Sequence, residues 1–180
     1  MDLIKRLQER INNIEYATDM SDVIHPKIYP PTTNALVDAA EARLGFRFPH
    51  LLREIYTKVG NGGFGPGYGL LGLEGGALDD DGSSVIDRYA GFKRTHPDDP
   101  LWHWPDGLLC ICPWGCAIYS CIDCTKLAAP VIVFDPNGHE KGEPWDNYFH
   151  PHRSSFSSWI EAWLDGVDLW QELYASSDES

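Results

Sequence analysis

Between residues 110 and 124 the chain carries five cysteines in the pattern Cys110-x-Cys112-x₃-Cys116-x₄-Cys121-x₂-Cys124. Thiolates at such spacing could share a tetrahedral zinc ion. Only Cys121-x₂-Cys124 has a knuckle spacing, however, and period-two alternation in a strand would put Cys110 and Cys112 on one face. Reduced cysteine packs like a small hydrophobe, so buried thiols are the reading taken here, with a zinc site as its alternative. Other chemistry fails on spacing. A nucleobase deaminase needs P-C-x-x-C, whereas Pro113 is followed by Trp114-Gly115-Cys116. No local signature sets a thiolate beside a base, and His103, His139, His150 and His152 read as solvated loop histidines. Gly67-x-Gly69-x-x-Gly72 matches the dinucleotide fingerprint only formally, because a helix precedes it and a strand is expected after it. No phosphate-binding G-x-x-x-x-G-K-[ST] occurs. The chain is therefore expected to have no catalytic residues, metal or cofactor, and not to be an enzyme.

Acidic residues cluster in the central loops: Glu74, Asp79, Asp80 and Asp81, then Asp98, Asp99 and Asp106. They lack the ordered D-x-D-x-D-G cage of a calcium loop and read first as a solvated acidic stretch. A sharper reading joins them to Trp102 and Trp104, since rings supply desolvated anchors while carboxylates steer encounter. The candidate partner-binding set is Asp79, Asp80, Asp81, Asp98, Asp99, Trp102, Trp104 and Asp106. Both tryptophans also fit a core, and both readings stand open on sequence alone.

The charge balance points the same way. With 14 Lys and Arg against 27 Asp and Glu, the formal net charge is -13. Phosphates and anionic membrane surfaces would repel such a chain, whereas a basic protein would be drawn to it. Residues 1–10 interleave charges where a secretion signal needs an apolar run, and no stretch approaches the ~18 apolar residues of a membrane span. A cytoplasmic location with reduced cysteines is expected. No feature sets an oligomeric state.

The elements that must position these residues follow from periodicity. Leu3, Ile4, Leu7, Ile11 and Ile14 predict a first helix capped near Asp2, and His25–Pro31 predicts an extended loop. A second helix runs from a Thr32 or Thr33 cap through Leu44 to Gly45. Pro49 opens a third, through Val59, which Gly60-Asn61-Gly62-Gly63 must end. Leu70, Leu71 and Leu73 suggest a short strand, and the Asp79–Ser83 loop caps a helix carrying Val85, Ile86, Tyr89 and Phe92. Residues 108–112, 117–122 and 131–134 read as consecutive antiparallel strands, and Phe156, Trp159, Ile160, Trp163 and Leu164 as a closing helix. This is a single-domain α+β chain: N-terminal helices, then a mainly antiparallel sheet covered mainly on one face by a C-terminal helix. Its expected organisation is an N-terminal helix and proline-rich loop over 1–31, the main domain over 32–173, and a fraying tail from 174 to 180.

The run Ala40-Glu41-Ala42-Arg43-Leu44-Gly45-Phe46-Arg47-Phe48-Pro49, then Leu52-Arg53-Glu54-Ile55-Tyr56 and Asn61-Gly62-Gly63-Phe64-Gly65, resembles the signature of the SUKH superfamily. Further matches in order are Trp114 to Asp123, Val131 to Asp135, and Phe156-Ser157-Ser158-Trp159-Ile160. The resemblance implies an α+β fold used for binding. It implies for many bacterial members an immunity protein that neutralises a cognate toxin, often a nuclease, and for a fungal branch a regulator of cell-wall synthesis. The expected function is toxin neutralisation by occlusion, with a non-catalytic regulatory adaptor as alternative and a cysteine-rich zinc protein behind it. The family has no generally recognised catalytic residues to carry over.

Overall fold

The computed structural model describes residues 2–19 and 27–175. His25 and Pro26 of the expected loop, and residues 176–180 of the expected tail, lie outside the described residues. Helix α1 (Leu3–Ile11) starts where Asp2 accepts the Ile4 amide at 3.2 Å, and buries Ile4 and Leu7. Helix α2 (Asn34–Leu44) is capped by Thr33 and ends at Gly45, whose φ of 82° suits a residue without a Cβ. Helix α3 (His50–Glu54) follows Pro49 but does not run regularly to Val59. It widens into a π turn over Ile55–Val59, closed by the Gly60 amide on the Ile55 carbonyl at 3.0 Å. The buried Tyr56 hydroxyl then donates to the Leu71 carbonyl at 2.8 Å.

Between α2 and α3, the Glu41 side chain is 3% exposed and binds Arg47 at 2.7 Å and Arg53 at 2.8 Å. It also accepts the buried Phe48 amide at 2.8 Å. One carboxylate thus ties the helix end, the following loop and the next helix together.

Residues 61–77 fold back on themselves rather than forming the expected strand. The amides of Leu70, Leu71 and Leu73 go to three different partners: the Phe64 carbonyl at 2.7 Å, the Ile111 carbonyl at 2.8 Å and Asn61 Oδ1 at 2.8 Å. With donors dispersed like this no ladder can form. Asn61 also donates to the Glu74 carbonyl at 3.1 Å. At Gly62, with φ 85°, an added Cβ would sit 2.5 Å from the Leu70 carbonyl oxygen, so only glycine fits.

Helix α4 (Val85–Phe92) begins with a reciprocal capping box between Ser84 and Asp87. The sheet is an antiparallel meander of β1 (Leu108–Gly115), β2 (Ile118–Asp123), β3 (Val131–Phe134) and β4 (Phe149–Arg153), in that spatial order. β4 escaped the sequence reading because Phe149-His150-Pro151-His152-Arg153 lacks a β-branched run. Its proline is tolerated because β4 is an edge strand. Helix α5 (Phe156–Leu164) closes the domain as expected, and a short α6 (Leu169–Ala175) follows it.

Two details differ from expectation. A bulge at Ile111 leaves Cys110 opposite Cys121 and Cys112 opposite Ser120. Neighbouring β2 residues point to opposite faces, so the bulge sends Cys110 and Cys112 to opposite faces instead of one. The central strands are also buried on both faces, with every residue from Leu108 to Cys112 and from Ile118 to Ile122 covered. The face carrying Tyr119 and Phe134 packs on Phe92 of α4. On the other face Ser120 accepts the Trp114 indole at 2.8 Å.

The β1–β2 turn is Cys116-Ala117, with φ of 50° and 61°. Both angles fall in the left-handed region that two-residue hairpins require and that asparagine and glycine normally supply. Asn137 braces the turn by donating to the Cys116 carbonyl at 3.0 Å. Ala117→Gly is therefore expected to raise stability by about 0.5–1 kcal/mol, read as a higher midpoint in urea with an unchanged slope. A lower midpoint would mean that the turn is not strained.

Candidate partner-docking cleft

A cleft of about 480 Å³ opens on the sheet face covered by α4. Its lining comes from the Asp79–Asp81 turn, α4, the β1–β2 hairpin tip, β3 and two aromatic loops. Arg88 projects from α4 into its floor. The guanidinium binds Asp79 at 2.6 Å and Asp81 at 2.8 Å, and lies 5.4 Å from the ring centres of both Phe92 and Tyr119. Burial would lower the Arg88 pKa, but its bonds to Asp81 and Asp79 outweigh this and raise it. Tyr119 donates to Asp79 at 3.2 Å; burial pushes its phenol upward and Asp79 adds to this, against the opposing pull of Arg88. The floor is a fixed cation between carboxylates, beside a phenol held neutral.

The opposite wall is aromatic. Half-buried Trp102 donates its indole N–H to the Phe92 carbonyl at 2.9 Å and meets Trp145 edge-on at 4.7 Å. Trp145, from the loop before β4, donates to Asp99 Oδ2 at 2.8 Å and stacks on His139 at 3.7 Å. The other Asp99 oxygen accepts the Leu101 amide at 3.2 Å, so this carboxylate is held in place from both sides.

Of the residues singled out from sequence, Asp79, Asp80, Asp81, Asp99 and Trp102 line this one cleft. Asp98 is exposed but is not among the lining residues. Asp106 lies apart, paired with Lys93 at 2.5 Å. Trp104 belongs to the core instead: it is 3% exposed, donates to the Leu108 carbonyl at 2.7 Å and stacks on Phe92 at 4.4 Å. It backs the wall without reaching solvent, because its indole N–H is satisfied inside. Sequence reasoning missed Arg88, Tyr119 and Trp145. A tryptophan in the polar Gly142-Glu143-Pro144 loop was the one available signal.

Among the described residues, no three His, Cys, Asp or Glu side chains converge to hold a metal ion. His152, expected in solution, is instead 3% exposed and lies 3.3 Å from Glu172 of α6. Burial pushes its pKa down despite that carboxylate. Cys110 and Cys121 lie 3.3 Å apart, sulfur to sulfur, and burial raises the thiols of Cys110 and Cys112. Cys124 is pushed up to about 12, chiefly by burial. Cys116, at the rim, is the exposed thiol. An aromatic disulfide reagent at pH 8 is expected to titrate one thiol promptly and the other four only after denaturation. Prompt reaction of two or more would contradict this burial pattern.

Residues 31–162 match the model of the SMI1/KNR4 family (SUKH-1). The chain belongs to this family. The matched span of the SUKH-1 chain holds α2 to α4, the whole sheet and every residue lining the cleft, while α1 and α6 lie outside it. No curated protein is a match. Among the described residues, no helix is long and apolar enough to cross a membrane.

Proposed function

We propose that this chain is a non-catalytic immunity protein that binds a basic cognate toxin, such as a nuclease, in the bacterial cytoplasm and neutralises it by occlusion. Membership of a family that includes toxin immunity proteins supports this class of function. The observation that carries the reading is the cleft: four carboxylates against one guanidinium, walled by Trp102 and Trp145. Carboxylates accelerate encounter with a basic surface, and rings held by their own hydrogen bonds bury area at little entropic cost. The chemistry fits binding rather than turnover, since Arg88, Tyr119, Trp102 and Trp145 already donate to Asp79, Asp81, Asp99 and the Phe92 carbonyl.

The test is a calorimetric titration of the full chain into the inactivated toxin domain encoded beside its gene. One-to-one binding at nanomolar or tighter affinity, weakening as NaCl rises from 50 to 500 mM, is expected. Absence of binding at micromolar concentrations would overturn the pairing.

A further inference from the structure

Three features of the cleft bear on what enters it. The first is an excess of carboxylate at its rim. Arg88 occupies Asp79 and one oxygen of Asp81, while Asp80 is exposed with no hydrogen bond or ion pair among the described residues. The second is the fixed carboxylate of Asp99. Each of its oxygens already takes one donor, Trp145 Nε1 at 2.8 Å and the Leu101 amide at 3.2 Å, and each keeps acceptor capacity. The third is the set of rings beside these acids, Trp102, Trp145, Phe134 and His96, which line a volume of about 480 Å³. A cavity that joins carboxylates to aromatic faces selects a cation with a flat, weakly hydrated surface.

From this we infer that the cleft is an arginine-anchor site: it takes an arginine side chain from an exposed loop of the protein partner. The guanidinium pairs with Asp99 and the free oxygen of Asp81, and its plane lies against the indole of Trp102, with Trp145 at right angles beside it. The fold already uses this arrangement twice. Arg88 lies between two carboxylates and two rings, and Arg10 sits 3.9 Å over the Trp163 ring with Asp19 nearby. Lysine is the poorer occupant, because its ammonium is strongly hydrated and cannot make the planar two-point contact. The inference rests on the proposed role of this cleft in docking the toxin, and it adds the residue that would be read.

The test uses the full ¹⁵N-labelled chain and three capped tripeptides: acetyl-Gly-Arg-Gly-amide and its lysine and citrulline counterparts. Citrulline keeps the shape of arginine and removes the charge. The arginine peptide is expected to shift the Trp102 and Trp145 indole N–H signals and the Cys116 and Ala117 amides saturably, with a dissociation constant of about 1–10 mM. The lysine peptide should bind at least about threefold more weakly and the citrulline peptide at least about tenfold. Asp81→Asn and Asp99→Asn should each weaken the arginine peptide at least about threefold, with the remaining amide signals in place to report an intact fold. Equal binding of citrulline, no shift at about 50 mM peptide, or shifts scattered over other acidic surfaces would overturn the arginine anchor. If the toxin binds while the arginine peptide does not, the anchor fails and the immunity reading stands. If the peptide binds the cleft and the toxin does not bind, the anchor stands and the immunity reading fails.

Discussion

Glu41→Ala is expected to destabilise the chain by about 3 kcal/mol, measured by urea unfolding at pH 7. The carboxylate is 3% exposed and serves three donors, namely Arg47, Arg53 and the Phe48 amide. Arg47, at 80% exposure, can return to water when the carboxylate is gone, which holds the loss near the lower end for a broken buried pair. Arg53 and the Phe48 amide cannot do so as readily; the amide alone leaves a buried unpaired donor costing about 1–3 kcal/mol. A loss below about 1 kcal/mol would show that the charges are solvated and the tie is ornamental. The pH dependence has a definite sign. Burial would raise the Glu41 pKa, but the bonds from Arg53, Phe48 and Arg47 outweigh it and hold the pKa below the ordinary 4.5. Its contribution is therefore fully present above about pH 4.5 and is lost as pH falls through the lower folded value. Glu41→Gln should show a shallower loss of stability between about pH 5 and pH 3 than the unsubstituted chain.

Asp79→Ala carries the second large effect, and it couples stability to the cleft. The Asp79 side chain is 2% exposed; it holds Arg88 at 2.6 Å, accepts Tyr119 at 3.2 Å, and receives the amides of Ser83 and Asp81 at 2.9 and 3.1 Å. Its removal leaves Arg88, only 15% exposed, with Asp81 as its remaining carboxylate, and frees the turn that presents Asp80 and Asp81. A loss of about 2–4 kcal/mol is expected in urea unfolding, together with broadened amide signals through residues 79–83. An unfolding midpoint within error of the starting chain would mean that Arg88 is held by its packing and not by this pair.

The signals that made the fold legible were periodic or stereochemical. Asp2, the Thr32–Thr33 pair and Gly45 marked helix ends directly in the sequence, whereas the Asp79–Ser83 loop stops one residue short of the true cap, Ser84. β-branched runs marked β2 and β3. What remained hidden depends on partners distant in the chain. Leu70–Leu73 looks like a strand, yet its amides are claimed by Asn61, Phe64 and Ile111. β4 is a strand because β3 offers it an edge, and its own residues do not announce one. The bulge at Ile111 inverted the expected geometry of Cys110 and Cys112, since a one-residue slip changes which face a side chain meets. The cleft was half legible for the same reason. Asp79, Asp80, Asp81 and Asp99 stood out as charges and Trp102 as a ring that fitted an anchor or a core equally, but no spacing rule connects Trp145 to Asp99 across 46 residues. Trp104 shares its composition signal with Trp102, and only burial separates a core ring from a wall ring.

Under the proposed function the partner docks at the cleft, and acidity elsewhere on the surface contributes little. The most direct measurement compares two variants with the same change in net charge, both titrated against the inactivated toxin. Asp80→Lys with Asp81→Lys reverses charge inside the cleft; Asp98→Lys with Asp106→Lys reverses it on residues outside the lining. Like charges brought together at an interface cost several kcal/mol, so the cleft pair should weaken affinity at least about 100-fold, and the outside pair less than about fivefold. Equal losses in the two variants, or the larger loss in the outside pair, would contradict the account.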